Sequence, residues 1–223
     1  MKKLPLALAL ASSLILPNAI ADGKKHKMNT FHVTITNTTA HHVITPPTVI
    51  AHYGKFKLFE VAKPASEELA IMAESGNNGP LMDSLNMTRG VIATASSLDQ
   101  DPPVILPGHS ITIEIKARNR PYFTIAGMLA TSNDAFTAVT VKGPKKHRYA
   151  HGMAMTYDAG SEDNNELCID IPGPPCGGTN APIDGDGEGF VTIHNGIHGV
   201  GDLVPADLDW RGPTAMVRIH NGG

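Results

Sequence analysis

The stretch Ser110–Ala117, SITIEIKA, decides the fold class of this chain. Ile111, Ile113 and Ile115 alternate with polar side chains, so an extended strand presents all three on one face. A Pro107-Gly108 turn precedes the stretch. This pattern is typical of a strand in an antiparallel sheet that packs one of its faces on a hydrophobic core.

Further strands are predicted on both sides of this one. Thr30–Asn37, TFHVTITN, alternates in the same way, and Tyr122–Thr131 is almost continuously apolar, which indicates a central strand. Shorter strands are predicted at Lys57–Val61, Phe136–Val141, Gly189–Ile193 and Thr214–Ile219. Short strands with Gly, Pro and Asn turns and few helices predict an all-β protein, an antiparallel β-sandwich.

One or two short helices interrupt the pattern of strands. Ser66 is suited to cap a helix whose first turn contains Glu67 and Glu68, because carboxylates favour the positive N-terminal end. Leu69, Met72 and Ala73 give this helix an apolar face, and the Gly and Asn residues at 76–79 end it. A second short helix is predicted over residues 80–87, and we expect both helices to cover one end of the sheet.

The N-terminal residues are typical of a secretory signal peptide. Lys2 and Lys3 precede an apolar run over residues 4–16, and Ala19-Ile20-Ala21 forms a small-x-small cleavage site. We therefore expect cleavage after Ala21, a flexible basic tail over residues 22–29 and a single domain over residues 30–220. The protein is predicted to be exported to the periplasm or the extracellular space. No later stretch predicts a transmembrane segment.

The composition gives no reason to expect a nucleic-acid partner. The chain has 18 Lys and Arg against 21 Asp and Glu, a formal net charge of −3. Proteins that bind nucleic acid usually show a clustered basic face.

Cys168 and Cys176 are the two cysteines of the chain. In an oxidising compartment two cysteines this close together most often form a disulfide. A thiolate metal site is the alternative, and it needs further ligands nearby.

Tyr157–Glu166, YDAGSEDNNE, concentrates carboxylates beside a glycine. Its acids are Asp158, Glu162, Asp163 and Glu166. A loop of this kind suits Ca²⁺, which takes about six to eight oxygen ligands. A solvated acidic turn is the alternative interpretation. Asp184-Gly-Asp186-Gly-Glu188 is also acidic, but it lacks the full spacing of a calcium loop, and we predict a flexible turn there.

His194 and His198 allow a second kind of metal site. The Asn195-Gly196 pair between them is a hairpin signal that could bring the two rings together, although four residues of extended strand span about 13 Å. Together with nine methionines, these histidines leave open a periplasmic protein that binds copper or zinc.

No catalytic motif stands out in the sequence. It contains no GxSxG, HExxH or P-loop pattern. A hydrolase stays open only through residues that meet in the fold, and we expect a protein that is not an enzyme.

Four ordered motifs together resemble the spondin domain. They are TSNDAF (131–136), YDAGSEDNNE (157–166), GEGFVTIHNGIHGVGDL (187–203) and DWRGPTAMVRI (209–219). This domain is the N-terminal module of the extracellular-matrix proteins F-spondin and mindin, and it also occurs as a stand-alone secreted bacterial protein. The resemblance covers residues 30–220. It implies a sandwich of about eight antiparallel strands with Ca²⁺ held by loops at one end.

The resemblance also implies which residues bind the ion. Asp134 matches an acid of the family's SPDW-like stretch, in which Ala135 replaces the tryptophan. Asp158 and Glu162 match the acids of its DAGTD-like stretch, with Glu in place of the last Asp, and Asp163 is the substitute for Glu162. The expected function is a calcium-binding, non-enzymatic module for adhesion at the cell surface. Its expected partner is an extracellular or envelope protein or glycan.

Overall fold

A computed structural model describes residues 28–118, 120–179 and 187–223. The predicted signal peptide and the predicted tail up to residue 27 lie outside the described residues, as do Asp184 and Asp186. The strands of the described part are β1 Met28–Asn37, β2 Thr48–His52, β3 Val91–Ser96, β4 Ser110–Arg118, β5 Tyr122–Met128, β6 Ala135–Lys142, β7 Tyr149–Asp158, β8 Thr192–Ile193 and β9 Ala215–Asn221. The helices are α1 Glu67–Ser75, α2 Gly79–Met87 and α3 Pro205–Leu208.

The strands form a nearly closed antiparallel sandwich, which confirms the predicted fold class. Their order is β3-β2-β5-β6-β7-β9-β1-β4, and β8 pairs with β7. Strand β7 joins the two layers, because Tyr149–Ala154 pairs with β9 and the following residues up to Asp158 pair with β6. The first and last strands of this order, β3 and β4, lie against each other.

The main core lies between the two layers. The isoleucines predicted to share one face of β4 are buried there and pair with alternate residues of β1, which in turn pairs with β9. Phe31 of β1 meets Phe123 of β5 with ring centroids 4.9 Å apart. Strands β1 and β4 of this layer alternate between buried and less buried residues. The outer face of the layer is therefore exposed to solvent, as the polar residues of the alternating pattern predict.

Helices α1 and α2 cover the outer face of the β2–β5–β6 layer, whereas the sequence placed them at one end of the sheet. Leu69 and Met72 pack with Ile50 and Phe136, so this layer is buried on both faces. That is why β5 is almost continuously apolar. Helix α1 begins and ends as predicted, because Ser66 Oγ accepts a hydrogen bond from the Leu69 N–H and Gly76 adopts a φ of 71°.

Several strand assignments differ from the sequence prediction, and β2 was not predicted. Lys57–Val61 forms turns and bends, and the strand expected over residues 189–193 shortens to Thr192–Ile193. Strand β7 was not predicted. Its inward positions include the small residues Gly152 and Ala154, while Met153 and Met155 face outward, so the usual alternation is concealed.

The segment that follows β7 forms a small core of its own. Cys168 and Cys176 form the predicted disulfide, and Cys176 packs with Ile171, Ile197 and Leu203. Within the described residues, no helix has the length and apolar character needed to cross a membrane.

Removing the disulfide is expected to destabilise the protein by about 2–3 kcal/mol, since the bond closes a short loop and restricts the unfolded chain. The bridged residues are 8 apart in sequence. Urea denaturation of a C168A/C176A variant checks the value. Equal stability of the variant and the parent would contradict it, and a reducing agent should destabilise the parent but leave the variant unchanged.

Candidate functional site

Two buried carboxylates lie where β6 begins and β7 ends. Asp134 immediately precedes β6, and Asp158 is the last residue of β7. Ala135 pairs with Asp158 across the ladder, and the Ala159 N–H donates to the Asp134 carbonyl at 3.2 Å. Asp134 is 0 % exposed and Asp158 is 4 % exposed. The β6–β7 pairing therefore brings the acids of two separate loops together.

One oxygen of Asp134 is well satisfied and the other is not. Its Oδ2 accepts hydrogen bonds from the Ser161 N–H at 2.8 Å, from Ser161 Oγ at 3.2 Å and from the Glu162 N–H at 3.1 Å. Its Oδ1 is buried without a hydrogen-bond partner in the structure. A buried acceptor that has lost water and gained no donor is costly, and more so on a carboxylate.

Asp158 is held by its own loop. Its Oδ1 accepts from the Gly160 N–H at 2.6 Å, and its Oδ2 accepts from Asn164 Nδ2, also at 2.6 Å. The same Asn164 amide lies 3.3 Å from Glu188 Oε1. These contacts fix the direction of the carboxylate, so Asp158 is positioned by the backbone turn at Gly160 and by one amide.

Both carboxyl groups are shifted toward the protonated form. Burial, and after it the negative charge of Asp158, raise the pKa of Asp134 to about 7, against the opposing hydrogen bonds from Ser161 and Glu162. Burial also raises the pKa of Asp158, against the hydrogen bonds from Asn164 and Gly160. Two adjacent buried anions repel each other, and either a proton or a cation relieves that repulsion.

The other predicted acids have different positions. Glu162 is buried in the same loop at 3 % exposure, whereas Asp163 lies exposed at the surface. In the described ranges, no three His, Cys, Asp or Glu side chains form a ready cluster that could hold a metal ion. An ion at Asp134 and Asp158 therefore needs neutral oxygens, such as carbonyls and water, for the rest of its shell, which suits Ca²⁺.

A cavity of about 210 Å³ opens beside Asp158. Its polar lining residues include Ser132, Asn133, Asp158, Asn164, Glu166, Glu188, His194 and His198. Both histidines of the predicted pair thus face one cavity, although Asn195-Gly196 makes no hairpin and β8 ends at Ile193.

The hydrogen bonds of His194 weigh against a metal ion on its ring. Its Nδ1 accepts from the Gly196 N–H at 3.0 Å, so the neutral ring carries its proton on Nε2. An imidazole that binds metal through Nε2 needs the proton on Nδ1 instead. Burial and the neighbouring His198 and His42 lower the pKa of His194 to about 4, and its ring packs on Trp210.

Glu166 has a role that the sequence did not reveal. It is 4 % exposed, and its carboxylate accepts from the N–H groups of His198, Gly199 and Val200 at 2.5, 2.6 and 3.0 Å. Asn133 Oδ1 accepts from the Glu166 N–H. Glu166 therefore anchors the 198–200 loop to the turn before β6. In the sequence, Glu166 is one of several acids in a single stretch, and nothing there distinguishes a carboxylate that anchors a loop from one that binds a metal ion.

In comparisons with known proteins, no family model matches the chain and no curated protein matches it. The resemblance to the spondin domain rests on the four motifs and stays a prediction.

The loop at Gly160 allows a test of this geometry. Gly160 has a φ of 68°, and a Cβ added there would collide with the Phe190 backbone. We expect Gly160→Ala to destabilise the protein by roughly 3–5 kcal/mol, through left-handed strain and overpacking together. Gly108→Ala is the matched control, since Gly108 has a φ of 73° and no atom within 4 Å of the added Cβ.

The control is expected to cost about 1–2 kcal/mol, the cost of the left-handed conformation alone. Urea denaturation of both variants measures the difference. Equal destabilisation by the two substitutions would show that the Gly160 loop does not lie against Phe190.

Proposed function

We propose that this chain is an exported, non-enzymatic, calcium-binding β-sandwich module of the spondin type, which binds a protein or glycan partner at the cell surface. The observation that carries the calcium site is the buried pair Asp134 and Asp158, with Asp134 Oδ1 lacking a partner. The disulfide supports an oxidising compartment.

The chemistry of the donors favours a hard cation. The groups at the pair are carboxylates and amides, without a thiolate or a thioether, and oxygen donors suit Ca²⁺. The cation would relieve the repulsion between Asp134 and Asp158 and give Asp134 Oδ1 a partner. Bound where β6 begins and β7 ends, it would stiffen the loop over residues 159–166, which has no strand or helix of its own.

The burial of the pair also supports a binding role over hydrolysis. Asp134 has no exposed surface and does not line the cavity, so a substrate there reaches Asp158 but not Asp134. Both oxygens of Asp158 already accept hydrogen bonds from the protein. A general acid or base must lie within reach of the substrate's proton.

A protein that binds copper or zinc through His194 and His198 is the weaker candidate. The Gly196 N–H occupies His194 Nδ1 and fixes the wrong tautomer for an ion on Nε2. Elemental analysis of the purified protein separates the two proposals, because it identifies the bound metal directly.

Calcium should raise the melting temperature of the parent protein relative to a chelator. A ligand that binds the folded state alone stabilises it by about 2.7 kcal/mol at a hundredfold excess over Kd. Asp134→Asn is expected to abolish this gain, because the amide loses the charge. In chelator, Asp134→Asn should be at least as stable as the parent, since it removes one of two repelling carboxylates.

Asp207→Asn is the matched control, because Asp207 is an exposed acid on α3. This variant should keep the full calcium gain. Scanning calorimetry with calcium and with chelator measures all three proteins. Identical melting of the parent in both buffers, with no calcium found in the purified protein, would refute the proposed site.

The site also predicts a dependence on pH. The raised pKa of Asp134, about 7 against 3.8, means that the calcium-free protein loses stability as pH rises from about 4 to 7, because the unfolded chain releases the proton more readily. Calcium needs the ionised carboxylate, so the calcium-induced shift in Tm should be larger at pH 8 than at pH 5.5. Thermal melts at both pH values check this, and a shift that shrinks toward pH 8 would contradict it.

A further inference from the structure

The end of the sandwich opposite Asp134 and Asp158 is built from two connections and the C-terminus. Strand β4 ends at Arg118 and β5 starts at Tyr122, while β6 ends at Lys142 and β7 starts at Tyr149. Tyr122 pairs with Lys142, so the two connections are neighbours. Residues 221–223 of the chain lie against the second of them.

This end, which we call the basic end, is rich in cations. It comprises Arg118, Arg120, Lys142, Lys145, Lys146 and Arg148, all of them exposed. Between Glu114 and Asp158 the sequence holds a single acid, Asp134, and that residue lies at the opposite end. A chain with a net charge of −3 thus concentrates six exposed cations at one end.

The cations of the basic end form no ion pair among the described residues, and Lys142 Nζ lies over the Tyr122 ring, 5.7 Å from its centroid. The ion pairs within the described part of the chain join Lys57 to Glu60 and Arg211 to Asp209, and neither involves the basic end. Arg120 donates to the Gly143 carbonyl at 3.3 Å, which still leaves most of its donors available.

The backbone that presents these cations is held by several hydrogen bonds. The Gly143 N–H donates to the Pro121 carbonyl at 2.7 Å, which ties one connection to the other. The His147 N–H donates to the Asn221 carbonyl at 2.8 Å, and Asn221 Nδ2 donates to the Pro144 carbonyl at 3.2 Å. A loop that is already ordered loses little conformational entropy when a ligand binds.

We propose that the basic end binds a linear anionic polysaccharide, a chain that carries sulfate, carboxylate or phosphate groups. This inference specifies the chemical class of the partner that the proposed surface module binds, and it therefore rests on the proposed function. Several exposed cations suit a flexible polyanion, which binds through many weak contacts and counterion release.

Other occupants fit the basic end less well. The described tip, residues 143–148, has no large apolar side chain to insert into a membrane or to anchor a protein interface. The disulfide indicates an oxidising compartment, and anionic polysaccharides are among the polyanions of the cell surface. The ring of Tyr149, beside the tip, already stacks on His220 and lies under Arg218, so part of its surface is not available to a nucleobase.

The test measures binding of the full-length exported protein to dextran sulfate, with neutral dextran as the control polymer. Binding should be specific to the sulfated polymer, fall steeply with added salt and be the same in calcium and in chelator, because the two sites lie at opposite ends. Lys145→Glu with Lys146→Glu should weaken binding at least about tenfold and reduce the salt dependence.

A charge-matched control is Lys63→Glu with Arg211→Glu, which changes the net charge equally at exposed positions away from the basic end. This variant should bind like the parent, and circular dichroism should show that both variants stay folded. Equal weakening by both pairs of substitutions would overturn the proposal. So would equal affinity for neutral dextran, or tighter binding to anionic phospholipid vesicles or to a single-stranded oligonucleotide at matched salt.

Because binding to dextran sulfate is measured with and without calcium, this result is separate from the calcium test. Loss of the calcium effect on melting with retained binding to the polymer would refute the calcium site alone. A retained calcium effect without binding to the polymer would refute the basic-end proposal alone.

Discussion

Much of the structure depends on the hydrogen bonding of β7 to both layers. The first part of the strand pairs with β9 and the last part pairs with β6, so one strand closes the sandwich along that edge. The same pairing sets Asp158 opposite Ala135 and therefore beside Asp134. A register shift of one residue would turn Asp158 to the other face of the sheet and separate the two carboxylates.

The loops beyond β7 show how irregular backbone is stabilised without strands. In these loops, buried polar side chains take the place of the hydrogen bonds between paired strands, because each of them accepts or donates several hydrogen bonds with the backbone. Glu166 accepts three N–H groups from the 198–200 loop, and Asp134 accepts two from Ser161 and Glu162. Both oxygens of Glu166 accept hydrogen bonds, whereas Oδ1 of Asp134 accepts none. That difference in hydrogen bonding, more than burial, separates Asp134 from Glu166.

The fold class could be predicted from the sequence because one layer of the sandwich is buried on a single face. Strands β1 and β4 therefore alternate visibly, and Ser66 and Gly76 mark the ends of α1. Strand β7 could not be predicted in this way, since its inward residues are small and its methionines face solvent.

The candidate site could be predicted only in part. A motif resemblance pointed to Asp134 and Asp158, and strand pairing places them side by side. The exposure of Asp163, the anchoring role of Glu166 and the tautomer of His194 depend on contacts between distant segments. The basic end could not be predicted either, because its cations come from two separate segments that only the fold brings together. The composition of the whole chain does not reveal such a cluster.

The separation of charge follows from the topology. Antiparallel strands return the chain alternately to two ends, so Asp134 and Asp158 meet at one end while Lys142 and Arg148 meet at the other. A packed core of β-strands lies between these ends. Coupling between distant sites needs an element with two alternative arrangements that both sites influence. A densely packed core resists such rearrangement, so we expect the proposed cation to stabilise the fold and its loops without changing how the basic end meets a polyanion.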